Sequence, residues 1–129
     1  MDEKKTDPNC PEELQISNPD DGTPGGTILS AYIAALKGDG EKNFNGFYSY
    51  FAPTQDREFV KTQHWPRILK HVSKYVKDRN SPTISICKTA KVTDKVVRVF
   101  VKSNDPGKSN PPVVLTNEYG GWKIDVFTP

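Results

Sequence analysis

Apolar positions in the first part of the chain recur at three- and four-residue steps, whereas later ones alternate. From Thr27, residues Ile28, Leu29, Tyr32, Ile33 and Leu36 fall on one helix face. Thr27 serves as N-cap after Gly25 and Gly26, and Gly38-Asp39-Gly40 ends the helix. Phe44, Phe47, Tyr48 and Phe51 predict a second, short helix closed by Pro53. Thr54 caps a third helical stretch from about Gln55 to Asp78. Its inner face carries Phe59 and Val60 early, then Ile68, Leu69, Val72, Tyr75 and Val76. Pro66 lies inside this run, removes a backbone donor and disfavours helix at Trp65, so the helix kinks or restarts at His64-Trp65-Pro66.

After Asn80-Ser81-Pro82 the residues become β-branched, predicting strands at about 83–89, 92–103, 112–118 and 121–127. Asn104 to Pro112 reads as a loop, and Tyr119-Gly120-Gly121 as a tight hairpin turn. In the last strand Trp122, Ile124 and Val126 are expected on one face, with Lys123, Asp125 and Phe127 on the other. Short connections favour an antiparallel meander. The fold class is therefore α+β, with N-terminal helices packed on a curved antiparallel sheet of about four strands.

Composition sharpens this picture at the N-terminus. Residues 1–25 carry seven acids and two lysines, whereas 26–129 carry nine acids and sixteen bases. The first segment has four prolines (Pro8, Pro11, Pro19, Pro24) and few large apolar residues beyond Leu14 and Ile16. It cannot bury enough surface to offset its ordering entropy, and is read as a flexible, mostly extended acidic leader ahead of one domain at 26–129. No run of apolar residues is long enough to span a membrane.

Met1-Asp2-Glu3-Lys4-Lys5 precedes no apolar stretch and is not a secretory signal. Two readings stand: a cytoplasmic chain that starts here, or a periplasmic or secreted one after signal removal, which the polar, Pro-rich leader favours. Cys10 and Cys87 bear on the same choice. In an oxidising compartment a bridge between them would staple the leader to the sheet; otherwise they are one buried and one exposed thiol. Lacking CxxC spacing, they do not make a metal site.

The helix, short helix, bent helix and antiparallel strands, ending in Asn117-Glu-Tyr-Gly-Gly-Trp-Lys-Ile-Asp-Val-Phe127, resemble the NTF2-like superfamily, particularly its small bacterial lipoprotein-type members. Tyr32-Ile-Ala-Ala-Leu-Lys-Gly-Asp-Gly40 is similar to their first helix. The resemblance covers roughly residues 27–128. It implies a cone between sheet and helices, used as an enzyme pocket, a ligand site or a plain core, with dimerisation often through the sheet. Fold alone does not choose among these.

Isomerase- or dehydratase-like chemistry needs an acid or histidine inside that cone. Asp39, Asp56, Glu58 and Asp94 all read as caps or surface, and no residue is assigned as catalytic. His64 and His71 lack a third ligand at zinc spacing, so no metal or cofactor is expected. Arg67, Lys70, Lys74 and Lys77 line a helix face, but without interleaved aromatics they do not suggest nucleic-acid binding. Tyr48, His64 and Trp65 pair apolar bodies with polar tips and are the candidate ligand-binding residues; Lys70 and Lys74 are the candidate partner-binding residues. The expected function is a non-enzymatic extracytoplasmic module holding a small apolar ligand in its cone. The alternative is an immunity or envelope-assembly module that binds a protein through its surface.

Overall fold

The computed structural model describes residues 10, 13–20, 22–103 and 112–127. The first nine leader residues and most of the expected 104–112 loop lie outside the described residues. Along the chain come β1 (Leu14–Ile16), α1 (Pro24–Leu36), α2 (Glu41–Tyr48) and α3 (Arg57–Phe59). A π-helical turn (Val60–His64), α4 (Trp65–His71) and a 3-10 turn (Val72–Lys74) follow. The chain then runs through β2 (Ile84–Thr93), β3 (Val96–Val101), β4 (Pro112–Thr116) and β5 (Lys123–Phe127). The architecture is α+β, as expected, with an open antiparallel sheet in the order β1-β2-β3-β4-β5.

The sheet has five strands rather than about four. Leu14 and Ile16, the large apolar residues of the leader, pair with Ile86 and Ile84 and add β1 to the edge. Glu13 holds the start of this strand by accepting a 3.1 Å hydrogen bond from Lys102 Nζ and by lying 3.6 Å from Lys77. Cys10 is disulfide-bonded to Cys87, and both are buried. Cys87 occupies the register shift between Ile86 and Lys88, so the staple sits where β2 bulges, beside the end of β1.

α1 begins at Pro24, three residues before the expected cap. Thr23 is the N-cap: its Oγ1 accepts from the Gly26 amide at 3.0 Å, and Pro24 takes the first turn, where no donor is needed. Nearly the whole circumference from Gly25 to Ala35 is buried, so α1 is a central core helix rather than a surface one. Thr27, instead of capping, donates from Oγ1 to the Trp122 carbonyl at 2.9 Å and ties α1 to the last hairpin.

The third helical stretch restarts at Trp65-Pro66, as expected, after a π turn over Val60–His64, and ends at Lys74 rather than Asp78. The Trp65 amide donates to the Val60 carbonyl, an i to i−5 bond, and α4 then starts with Pro66 in its first turn. The inserted π turn supplies the break that proline requires, so Pro66 loses no interior hydrogen bond. Because a π turn superimposes residues five apart, Val60 and Trp65 both face the core, with Ile68 and Val72 continuing the stripe.

In β5, Ile124 and Phe127 point inward and Val126 outward, correcting the expected face assignment. The register shift opposite Val114 and Leu115 makes Asp125 a bulged residue and reverses the alternation beyond it. The outer edge of β5 is met by the segment after α2: the Ile124 amide donates to the Tyr50 carbonyl and the Ala52 amide to the Ile124 carbonyl, each at 2.8 Å. The turn between β2 and β3 lies at Asp94 and Lys95, so β2 runs ten residues instead of stopping near 89.

Candidate functional site

Tyr48, His64 and Trp65 belong to one aromatic cluster. Tyr48, the last residue of α2, stacks on Phe44 at 6.0 Å between centroids and on Phe51 at 6.4 Å. Trp65 lies between Phe44 and Phe47 at 5.6 and 4.9 Å and is only 6% exposed. The rings of Phe51, Phe59 and Phe127 surround that of His64. The three candidate residues are thus linked to one another through phenylalanines.

Their polar tips differ. Tyr48 Oη donates to the Gln55 carbonyl at 2.7 Å and fastens the loop before α3 to the end of α2, while Gln55 Nε2 donates to Asp125 Oδ1 at 3.3 Å and ties the same loop to the β5 bulge. His64 Nδ1 is buried with no hydrogen-bond partner. Burial, with the positive charge of Arg67 as a second cause, holds the imidazole below its ordinary pKa. Deeper in the core, Tyr32 and Tyr75 stack at 5.7 Å with both hydroxyls buried and without partners, and burial raises their pKa values.

Helical spacing places Arg67, Lys70, His71 and Lys74 along one side of the segment that follows the π turn. Pro66, Arg67, Lys70 and His71 wall an open cleft of about 440 Å³. Lys70 is exposed there, whereas Lys74, one turn on, is half-buried. Sequence reasoning named the two lysines but weighed His71 only as a zinc ligand and left Arg67 as flanking charge. The i, i+3 and i+4 spacing of 67, 70 and 71 was the signal that joins them. Phe59, expected on the inner face, is half exposed against His64.

The four carboxylates considered for catalysis are all exposed. Asp56 caps α3 by accepting from the Phe59 amide at 2.9 Å, and Asp94 pairs with Lys91 at 3.2 Å. Glu41 lies 3.1 Å from both Arg57 and Lys61, whose hydrogen bonds hold its carboxyl below the usual range. Among the described residues no group of three His, Cys, Asp or Glu side chains could hold a metal ion. No described helix is long and apolar enough to cross a membrane. Comparison with protein-family models, curated proteins and solved structures finds no match for this chain.

Proposed function

We propose that the chain is a non-enzymatic binding module that takes an acidic protein partner on the basic face of α4. The observation that carries this reading is the cleft walled by Pro66, Arg67, Lys70 and His71. It sets two permanent cations and an imidazole around a concave surface, and Lys74 extends the charge by one turn. Arginine is enriched among the residues that anchor interfaces, and clustered charge speeds encounter with an acidic surface. The expected role of Lys70 and Lys74 is retained in this proposal, with Arg67 and His71 added to it.

The test is affinity purification from the native source with the wild-type chain and with Lys70→Glu/Lys74→Glu. A protein retained by the wild type, released by moderate salt and lost from the variant supports the reading. The same set of proteins on both baits overturns it.

A second reading, a small apolar ligand at Tyr48, His64 and Trp65, is favoured by one observation, the buried and unpartnered His64 Nδ1. The NTF2-like cone belongs with that reading, supported by the bent helical stretch and the terminal hairpin. Native mass spectrometry of source-purified protein separates the two: extra mass lost on denaturation supports the ligand, and a second chain supports the partner. The Cys10–Cys87 disulfide supports a periplasmic or secreted setting for either.

A further inference from the structure

A second concavity, sharing no described residue with the α4 cleft, lies between α1 and α2 and has a volume of about 400 Å³. That is within the size range of small-molecule sites. Its two ends differ in chemistry because α1 runs towards the Gly38–Gly40 link and α2 runs back from it. Lys37, at the end of α1, and Lys42 and Asn43, at the start of α2, therefore line the same end. Ile33, Ala34 and Gly46 line the middle, with Tyr50 and Pro19 beyond.

Three features of the linker end favour an anion. Among the described residues neither the Lys37 nor the Lys42 ammonium has an ion-pair partner. The Asn43 side chain brings an amide donor. Gly40, the N-cap of α2, offers no side chain to its first amides, so the positive end of the helix dipole is uncapped at this point. Glu41 does not cancel this charge, since Arg57 and Lys61 already hold it.

The middle of the groove is open because residue 46 has no side chain. A Cβ built on Gly46 would meet only the Ala34 Cβ, at 4.0 Å, an ordinary contact. A side chain at this position would start in the groove without colliding with the helices.

We propose that this groove binds a small alkyl carboxylate of the fatty-acid type, its carboxylate between Lys37, Lys42 and Asn43 and its chain over Ala34 and Gly46. The proposal is independent of the α4 reading. A charged head paired with two ammoniums gives orientation, and the apolar floor gives the remaining affinity.

The experiment is an amide NMR titration of the full chain with octanoate, with octanol and octylamine as chain-matched controls. Octanoate is expected to shift the amides of Lys37, Asn43 and Gly46 and to bind about tenfold tighter than octanol. Gly46→Leu fills the groove and is expected to abolish binding. Lys37→Gln/Lys42→Gln is expected to reduce octanoate to the level of octanol. Thermal melting of each variant checks that it is folded, and Ala34→Leu repeats the steric block from the opposite wall. Equal binding of all three compounds, shifts centred on Tyr48 and His64, or full binding by a folded Gly46→Leu chain would each overturn the proposal.

Discussion

His64 lies face to face with Phe51, their ring centroids 5.9 Å apart and their planes 18° from parallel. Phe59 and Phe127 close it edge-on at 5.3 and 5.5 Å. An ordinary helical turn over 60–64 would rotate this imidazole away from β5. The π turn, which Pro66 accompanies, is what brings a titratable ring against Phe127.

This contact makes stability depend on pH in a defined direction. Burial keeps the folded-state pKa of His64 below its ordinary value of 6.5, so on acidification the unfolded chain takes up the proton first. The contribution of neutral His64 is fully present above 6.5 and is lost as pH falls from there through the lower folded-state pKa. Denaturant midpoints measured from neutral to about pH 5 should fall in the wild type and fall less in His64→Phe. Parallel profiles for the two proteins would show that the imidazole is not held in its neutral form.

The Cys10–Cys87 staple closes a separation of 77 residues. Constraining so long a loop in the unfolded chain contributes about 2–4 kcal/mol. Cys10→Ala/Cys87→Ala should lower stability by that amount, as should reduction of the wild type. Hydrogen exchange should show β1 losing protection before β3 and β4, because β1 pairs along only three residues. Uniform loss across the sheet would mean that β1 does not depend on the bridge.

Trp65 bears on how the ligand reading can be probed. It was chosen because its indole pairs an apolar body with a polar tip, yet it packs between Phe44 and Phe47 at core depth. Trp65→Ala should therefore cost about 3–5 kcal/mol by leaving a cavity. A lost ligand in that variant would not distinguish a contact from an unfolded protein. Chemical denaturation decides the matter, and a change well under 1 kcal/mol would mean that the indole is not packed as described.

What the pattern of residues made legible, and what it did not, follows from the range of the interactions involved. The faces of α1 and α2 and the antiparallel meander could be read because Ile28, Leu29, Tyr32, Phe44 and Phe47, like Val97, Val99 and Val101, repeat at local periods. β1 could not: Leu14 and Ile16 are two apolar residues among prolines and acids, and they become a strand only by pairing with Ile86 and Ile84, about seventy residues away. Phe127 and Val126 were exchanged because a bulge leaves no mark on alternation until the partner strand is known. The start of α1 is legible in the sequence, since Thr23-Pro24 carries both the cap and the first-turn proline. The basic face is visible in the sequence as charge, but its concavity is a property of the folded chain that helical spacing does not show. The α1–α2 groove depends on a residue without a side chain, Gly46, that periodicity reads only as a weakness of the helix.

Two of the helix glycines of this layer, Gly26 and Gly46, should respond to the same substitution with opposite signs. Both have negative φ, so backbone conformation does not separate them. A Cβ on Gly26 would come within 3.0 Å of the Asp20 backbone nitrogen, carbonyl carbon and carbonyl oxygen, the segment that leads into the Thr23 cap. Backbone cannot rotate aside as a side chain can, so Gly26→Ala should destabilise by about 2 kcal/mol or more through overpacking and displacement of the cap. A Cβ on Gly46 meets nothing closer than 4.0 Å, and alanine is the better helix former, so Gly46→Ala should stabilise by about 0.5–1 kcal/mol. Thermal melts of the two single variants test the pair together. Destabilisation by Gly46→Ala would mean that the groove over Ala34 is occupied in the folded protein, whereas tolerance of Gly26→Ala would mean that Asp20 does not lie against the start of α1.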